Sequence, residues 1–504
     1  MTDFTQLVDL AAERLGGAVL AANDEFFAPK ENLLKPEKPI FIEEKYTDRG
    51  KWMDGWETRR RRTPGHDWCI IRLGLPGVLR GVVVDTSFFR GNFPSHCSIE
   101  ACALEGSPTL EQLAAPDAQW AELLPKSELR GDTQNHFAIA DRRRFTHLRF
   151  NIFPDGGVAR LRVHGDVIPD WKRILAPSST IDLVAIAHGG RSLACSDMFF
   201  SAPQNLLMPY PAANMGDGWE TKRRRGPGHD WVVLQLGVVG TVQRMEVDTT
   251  HFKGNYPESC SLEACSGEVE SPDSHASWPW KEILPRSPLG PDRQHRFETE
   301  LVAAGPATHV RFNIYPDGGV SRLQIFGTPS REGRLGAGLR WLNSLDEESA
   351  NTAFSNCCGS SRWVRAMVDA LPFASVPQLF QKAEKLFESL TREDWLEAFR
   401  HHPRIGEKKA AEAQSGQAQS WSAQEQAGVE RAASSALAAL AEVNRAYEAR
   451  FGYICLACAT GKTSDEMLAL LRARLHNDPE KELPIAAAEQ QKITRLRLEK
   501  LLER

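Results

Sequence analysis

The chain has 504 residues and a formal net charge of −5. A single hydrophobic core does not serve that length, so about three domains are expected. The mild acidity gives no reason to expect nucleic acid or an anionic membrane as partner. No window approaches the ~18 apolar residues of a membrane span, and MTDFTQLVDLAAERLGG lacks the basic and apolar regions of a signal peptide. Ten Cys in otherwise ordinary globular sequence read as reduced thiols, which implies a cytoplasmic location.

In chain order, the first feature is a duplication. Gly16-Gly17, Asp24, Phe26-Phe27 and Asn32-Leu33-Leu34 return as Gly189-Gly190, Asp197, Phe199-Phe200 and Asn205-Leu206-Leu207. The first copy then has ten extra residues around KPEKPIFIEE, after which DGWETRRRRTPGHDW at Asp54 matches DGWETKRRRGPGHDW at Asp217. VDT and GN motifs follow in both, and LRFNIFPDGGVARLRVHG pairs with VRFNIYPDGGVSRLQIFG. Within each copy the runs DWCIIRLGLPG, LRGVVVDTS, CSIEAC and HLRFNIF are short, rich in branched residues and separated by Gly, Pro, Asn and Asp. That is the pattern of short strands in an all-β sandwich of jelly-roll size.

Residues 1–170 and 171–328 are therefore two expected sandwiches, and PSREGRLGAGLR (329–340) reads as a linker. From 341 to 504, Ala, Leu, Glu, Arg and Gln fall at helical spacing, so an all-α domain is expected. Two amphipathic helices stand out, QEQAGVERAASSALAALAEVNRAYEARFG, ended by Gly452, and QQKITRLRLEKLLER. Cys455 and Cys458 lie alone in an apolar run and read as buried strand or helix rather than a zinc site.

The polar residues kept by both copies are Asp54/Asp217, Glu57/Glu220, His66/His229, Asp67/Asp230, Asp85/Asp248, Asn92/Asn255, Arg149/Arg311, Asn151/Asn313, Asp155/Asp317 and Arg160/Arg322. Each alone suits a structural role, as strand alternation, a PDGG turn or a rim ion pair. As a set, loop ends carrying His, carboxylates and Arg suit a small anionic substrate. Arg offers a bidentate fork for a carboxylate, and His, Asp and Glu can transfer protons or hold a metal.

These motifs, in order and twice over, resemble allantoicase across residues 1 to about 330. The resemblance implies a galactose-binding-like pair of jelly rolls that cleaves allantoate to (S)-ureidoglycolate and urea. Under it, His66, His229, Asp67, Asp230, Glu57 and Glu220 are the candidate proton-transfer residues. Arg149, Arg311, Arg160, Arg322, Asn92 and Asn255 are the candidate substrate contacts, with Arg59–Arg62 as a further option for the anchor. No cofactor is certain, and a divalent metal on the His/Asp/Glu set is the one option kept open. The alternative for this part is a pair of non-catalytic ureide- or carbohydrate-binding modules.

In the helical part, His402-Pro403 sits where a helix should end, and Ser422 with Glu425 has the form of a capping box. With CCGSSRWVRAM, RFGYICLACATGK and KITRLRLEKL, these residues resemble the decarboxylase of 2-oxo-4-hydroxy-4-carboxy-5-ureidoimidazoline (OHCU), from about 341 to 504. The resemblance makes His402 the catalytic acid/base beside Glu425. Pro403, Ser422 and Gln426 would line the site, backbone around Gly452 and Ile454 would contact substrate, and Arg497 would bind it. Some members carry Arg where this chain has Thr460 or Lys462. The expectation is a bifunctional enzyme on small-molecule substrates, allantoate and OHCU, forming a homo-oligomer with no nucleic-acid or membrane partner.

Overall fold

The computed structural model describes residues 3–115, 118–267, 272–402, 417, 420–421, 434–458 and 462–503. It divides into two compact units, Met1–Arg334 and Leu335–Arg504. The first unit holds two tandem β-sandwiches and the second is helical.

Each sandwich is strung on one strand of 19 residues, Asp67–Asp85 in the first copy and Asp230–Asp248 in the second. The runs DWCIIRLGLPG and LRGVVVDTS, expected as two short strands, are thus a single one. Gly74, Pro76 and Gly77 do not break it, because the extended backbone continues while its partners change. The first half of Asp67–Asp85 pairs with Ala18–Ala22 and with Arg144–Phe153, and the second half with Gln134–Ala138 and Arg160–Val167. His96–Cys102 then pairs with the far edge of Arg144–Phe153. The second copy repeats the order strand for strand. Trp56, Phe89 and Phe150 are fully buried, as are their counterparts Trp219, Phe252 and Phe312, so the two cores match.

The expected linker is a correction. Residues 322–329 belong to the strand Arg322–Pro329, and Arg331–Asn343 is a helix. Leu339 and Leu342 bury in the helical unit's core, and that burial outweighs the weak helix propensity of three Gly. Gly338 has a steric reason: a Cβ there would sit 2.0 Å from the Leu502 carbonyl oxygen.

The helical unit is capped as its sequence suggests. Thr391 and Asp394 form a capping box on Arg392–Arg400, and Thr463 and Glu466 form one on Ser464–Arg474. Gly452, at φ +79°, ends Ser434–Phe451. Cys455 is buried in the irregular segment after that helix, where a strand or helix was expected, and Cys458 is half-buried. The long helix Pro479–Leu502 buries Gln490, Ile493, Thr494, Arg497, Leu498 and Leu501 on one face. Among the described residues, no helix is long and apolar enough to cross a membrane.

Candidate functional site

In each sandwich the separated motifs meet at one turn. The two-residue strand Trp56–Glu57 pairs with Gly157–Val158, which joins the DGWET stretch to PDGG. Thr58 N and Gly156 O bond at 3.1 Å, Gly157 N donates to Asn92 O at 2.8 Å, and Asn92 Nδ2 donates to Glu57 Oε1 at 2.6 Å. The glycines are required here. Gly156 has φ +141°, and a Cβ on Gly157 would lie 1.9 Å from the Phe89 ring. The second copy builds the same turn, with Asn255 Nδ2 at 2.5 Å from Glu220 Oε1. Burial raises the Glu57 carboxyl above its ordinary pKa, against the opposing bond from Asn92.

The arginine run does not converge on one point. Arg59 is mostly exposed and pairs with Asp24, while Arg61 turns inward. Arg61 Nη1 lies 2.7 Å from Asp67 Oδ1, which also accepts from Asn23, and the Arg61 amide bonds Asp155 Oδ2 at 2.9 Å. Asp67 is 1% exposed while the Arg61 side chain remains partly open to solvent, so the pair anchors the loop from its inner end. Asp230 does the same for Arg224 at 2.5 Å, with Ser196 in place of Asn23. Beyond the loop, the His66 ring packs at a 36° tilt against Phe153, centroids 4.7 Å apart, and His229 packs likewise against Tyr315 at 4.6 Å.

Phe153 shares a strand and a face with Asn151 and Arg149, which lie opposite Ser98 and Glu100. Asn151 Nδ2 donates to Ser98 Oγ and Glu100 Oε2, and the Arg149 guanidinium sits over the Trp120 ring at 4.9 Å. Its counterpart Arg311 sits over Trp280 at the same distance. The polar residues thus sort into two groups per copy: Glu57 with Asn92 at the PDGG turn, and His66, Asn151, Arg149 and Glu100 along the sheet face.

Arg160 and Arg322 belong to neither group, contrary to the anchor role expected of them. Arg160 is 2% exposed and bonds Asp54 Oδ2 at 2.7 Å, while Nη1 and Nε donate to the carbonyls of Asp54, Ala159 and Glu37. Arg322 repeats this with Asp217, Ser321 and Tyr210. Strand residues whose forks are occupied by backbone have little left for a ligand.

Among the described residues, no three His, Cys, Asp or Glu side chains converge as a metal site. Asp67 and Asp230 face arginines, and Glu57 and Glu220 face asparagines. That donor set does not fit a resident divalent cation.

In the helical unit, His402 follows Arg392–Arg400 and is 8% exposed. Burial and the nearby Arg497 guanidinium push its pKa well below the usual histidine range, with Gln490 opposing. Arg497 is itself 3% exposed and reaches Asn356 O at 3.5 Å. Gln490 Nε2 donates to Thr494 Oγ1 at 3.1 Å, and the Cys358 thiol in the same cluster is pushed up to about 11 by burial. Gln490, Thr494 and Cys358 were missed from sequence. Gln490, Thr494 and Arg497 recur at helical spacing within an otherwise apolar stripe, a signal that was available. Pro403, Ser422, Glu425, Gln426 and Thr460 lie outside the described residues. Ile454 is half-buried, and Lys462 Nζ donates to Cys458 O at 2.6 Å.

Comparison with known proteins agrees with this geometry. The allantoicase repeat family matches residues 8–168 and 181–330. The chain belongs to the allantoicase family. Its C-terminal part matches the OHCU decarboxylase family over residues 343–499, so an allantoicase pair and a decarboxylase domain share one chain. A probable allantoicase of Pseudomonas aeruginosa (strain UCBPP-PA14) is 51% identical over 329 residues, covering 65% of this chain and 97% of that protein. The allantoicase of Dictyostelium discoideum is 47% identical over 323 residues, covering 64% and 87%. The crystal structure of Saccharomyces cerevisiae allantoicase superposes with a TM-score of 0.55 at 36% identity, covering 64% of this chain and 92% of that one.

Proposed function

We propose that the sandwiches hydrolyse allantoate to (S)-ureidoglycolate and urea, and that the helical unit decarboxylates OHCU to (S)-allantoin. The observation that carries the first reading is the meeting of Glu57, Asn92 and the PDGG turn from three distant motifs, twice in one chain. Allantoate has one carbon bearing a carboxylate and two ureido groups. Water's oxygen bonds that carbon, one C–N bond breaks, and the departing nitrogen takes a proton to leave as urea. Arg149 or Arg311 supplies a fork for the carboxylate. A half-buried glutamic acid, as at Glu57, delivers the proton to the leaving nitrogen, and His66 or His229 accepts one from water. Purified protein with allantoate tests this through urea release, and its absence refutes the reading.

For OHCU, the bond to CO2 breaks and its electron pair stays on a ring carbon beside C=O and C=N groups, which delocalise it. Arg497 holds the carboxylate and His402 returns a proton to that carbon. Its buried imidazole is neutral alone, and an anionic substrate supplies the negative charge that favours its protonation. Replacing His402 by Asn or Ala is expected to abolish decarboxylation and leave urea release intact. Loss of both in folded protein would overturn independent sites. The two reactions are not consecutive, since a hydrolase must open the allantoin ring between them. All ten cysteines are free thiols, which supports a reducing cytoplasm. A homo-oligomer is our further reading, checked by sedimentation.

A further inference from the structure

We infer that turnover of allantoate belongs to the first sandwich, with Arg149 as the carboxylate anchor, and that the second sandwich is its structural partner. This rests on the allantoate reading above and says which copy performs it.

The two copies have the same residues at the key positions but use them differently. Arg311 is committed: its Nε donates to Glu263 Oε2 at 2.6 Å and its Nη2 to Glu263 Oε1 at 2.8 Å, so the bidentate fork is filled from within the protein. Arg149 is 3.8 Å from Glu100 Oε2, beyond hydrogen-bond reach, although the two residues pair in the same strand register. The stacking tryptophan holds both guanidinium groups alike, so only the carboxylate contact differs. A side chain positioned by a ring, held by Glu100 only as a loose ion pair, keeps its hydrogen-bonding fork open to an external carboxylate.

The neighbouring residues follow the same division. In the second copy Tyr315 Oη bonds Ser261 Oγ at 3.0 Å, and Arg286 Nε donates to Ser259 Oγ at 2.6 Å while covering the Tyr315 ring. The first copy has Phe153 in place of Tyr315, His96 in place of Ser259 and Lys126 in place of Arg286, and neither crosslink exists there. Lys126 lies over Phe153 at 4.6 Å as Arg286 lies over Tyr315 at 4.4 Å, so both faces carry a second cation and the crosslinks are what differ.

The glutamate end differs as well. Ile40 N and Ala213 N make the same bond to Asp54 and Asp217, at 3.0 and 3.1 Å, which aligns the two loops. After that point the first copy inserts a hairpin, Tyr46–Thr47 against Gly50–Lys51, where the second has a single turn, Met215–Asp217. Arg49 of the hairpin donates to Phe26 O at 2.9 Å, and Phe26 and Phe27 are 38% and 36% exposed. Their uncovered counterparts Phe199 and Phe200 are 69% and 61% exposed. The hairpin thus covers the Phe26–Phe27 pair, whereas the glutamates of both copies are half-buried.

The test is quantitative because two equal sites and one site give different residues of activity. Arg149→Gln, at a half-buried position with no hydrogen bond to lose, is expected to fold as the wild type and to lower kcat/KM for urea release at least ~100-fold. If the copies worked equally, half the wild-type rate would remain, and a residual near one half overturns the assignment. Independently, calorimetric titration with hydantoate, which has the carboxylate and a single ureido group, should show one sandwich site, which Arg149→Gln removes and Arg311→Gln leaves intact. A site of equal affinity that Arg311→Gln removes would refute it. Wild-type protein that releases no urea would sink the allantoate reading itself, a result distinct from either of these.

Discussion

Replacing Arg160 by Met separates architecture from chemistry in the sandwich. Arg160 is almost fully enclosed, its guanidinium 2.7 Å from Asp54 Oδ2 and donating to three backbone carbonyls. Methionine preserves much of the aliphatic stem but leaves the Asp54 carboxylate buried without its cation. Breaking a buried pair in this way costs ~3–5 kcal/mol, and the stranded carbonyls contribute within that range because their losses are not additive. With a guanidinium m-value of roughly 3–5 kcal/mol/M for a domain of this size, the midpoint of the sandwich transition should fall by about 1 M. The assay is intrinsic Trp fluorescence against denaturant, since Trp56 lies in the same core. The double change Arg160→Met/Asp54→Leu should recover most of the loss, because no orphan charge remains. A midpoint shift under about 0.2 M, together with a large rise in KM for allantoate, would refute the structural role and return Arg160 to the substrate.

Three further outcomes are expected. His402 is held neutral when folded, so the unfolded chain binds a proton first as pH falls through about 6.5, and the helical unit loses stability on the acid side. His402→Asn should therefore show a shallower fall in Tm between pH 7.5 and 5 than the wild type, and equal slopes would contradict the burial. Gly157→Ala places a methyl group in the Phe89 ring and should lower urea release at least tenfold with a smaller effect on the far-UV spectrum; unchanged activity would detach the PDGG turn from the site. In the helical unit, fully buried Glu482 accepts from Tyr447, Arg474 and Asn477, so Glu482→Leu should cost ~3–5 kcal/mol by differential unfolding. Decarboxylation that survives heating as in the wild type would argue against that network.

The sandwich pair was legible because its motifs recur with their glycines, and a duplicated turn motif is a denser signal than any propensity. What sequence could not show was commitment. Arg149 and Arg160 look alike on the page, yet one lies at a sheet face and the other is closed in by backbone carbonyls that no motif announces. The long strand was read as two because LGLPG has turn residues, whereas extended backbone tolerates a Pro whose amide needs no ladder partner. The supposed linker failed for the opposite reason: its glycines suggested a break, and tertiary burial of Leu339 and Leu342 made a helix. In the helical unit, the likeness names His402 and Arg497, while Gln490 and Thr494, buried beside Arg497 on an apolar helix face, carry no motif of their own.

The 19-residue strand has a bearing on ancestry. Because Asp67–Asp85 contributes to one set of partners with its first half and another with its second, no fragment of a sandwich retains a complete ladder. A half-copy would expose both unpaired edges of the strand and aggregate before it could be selected. A unit that folds by itself is accordingly a whole sandwich, with the PDGG turn included. Each copy therefore carries a full set of the shared polar residues, and the two differ in contacts such as Arg311 with Glu263.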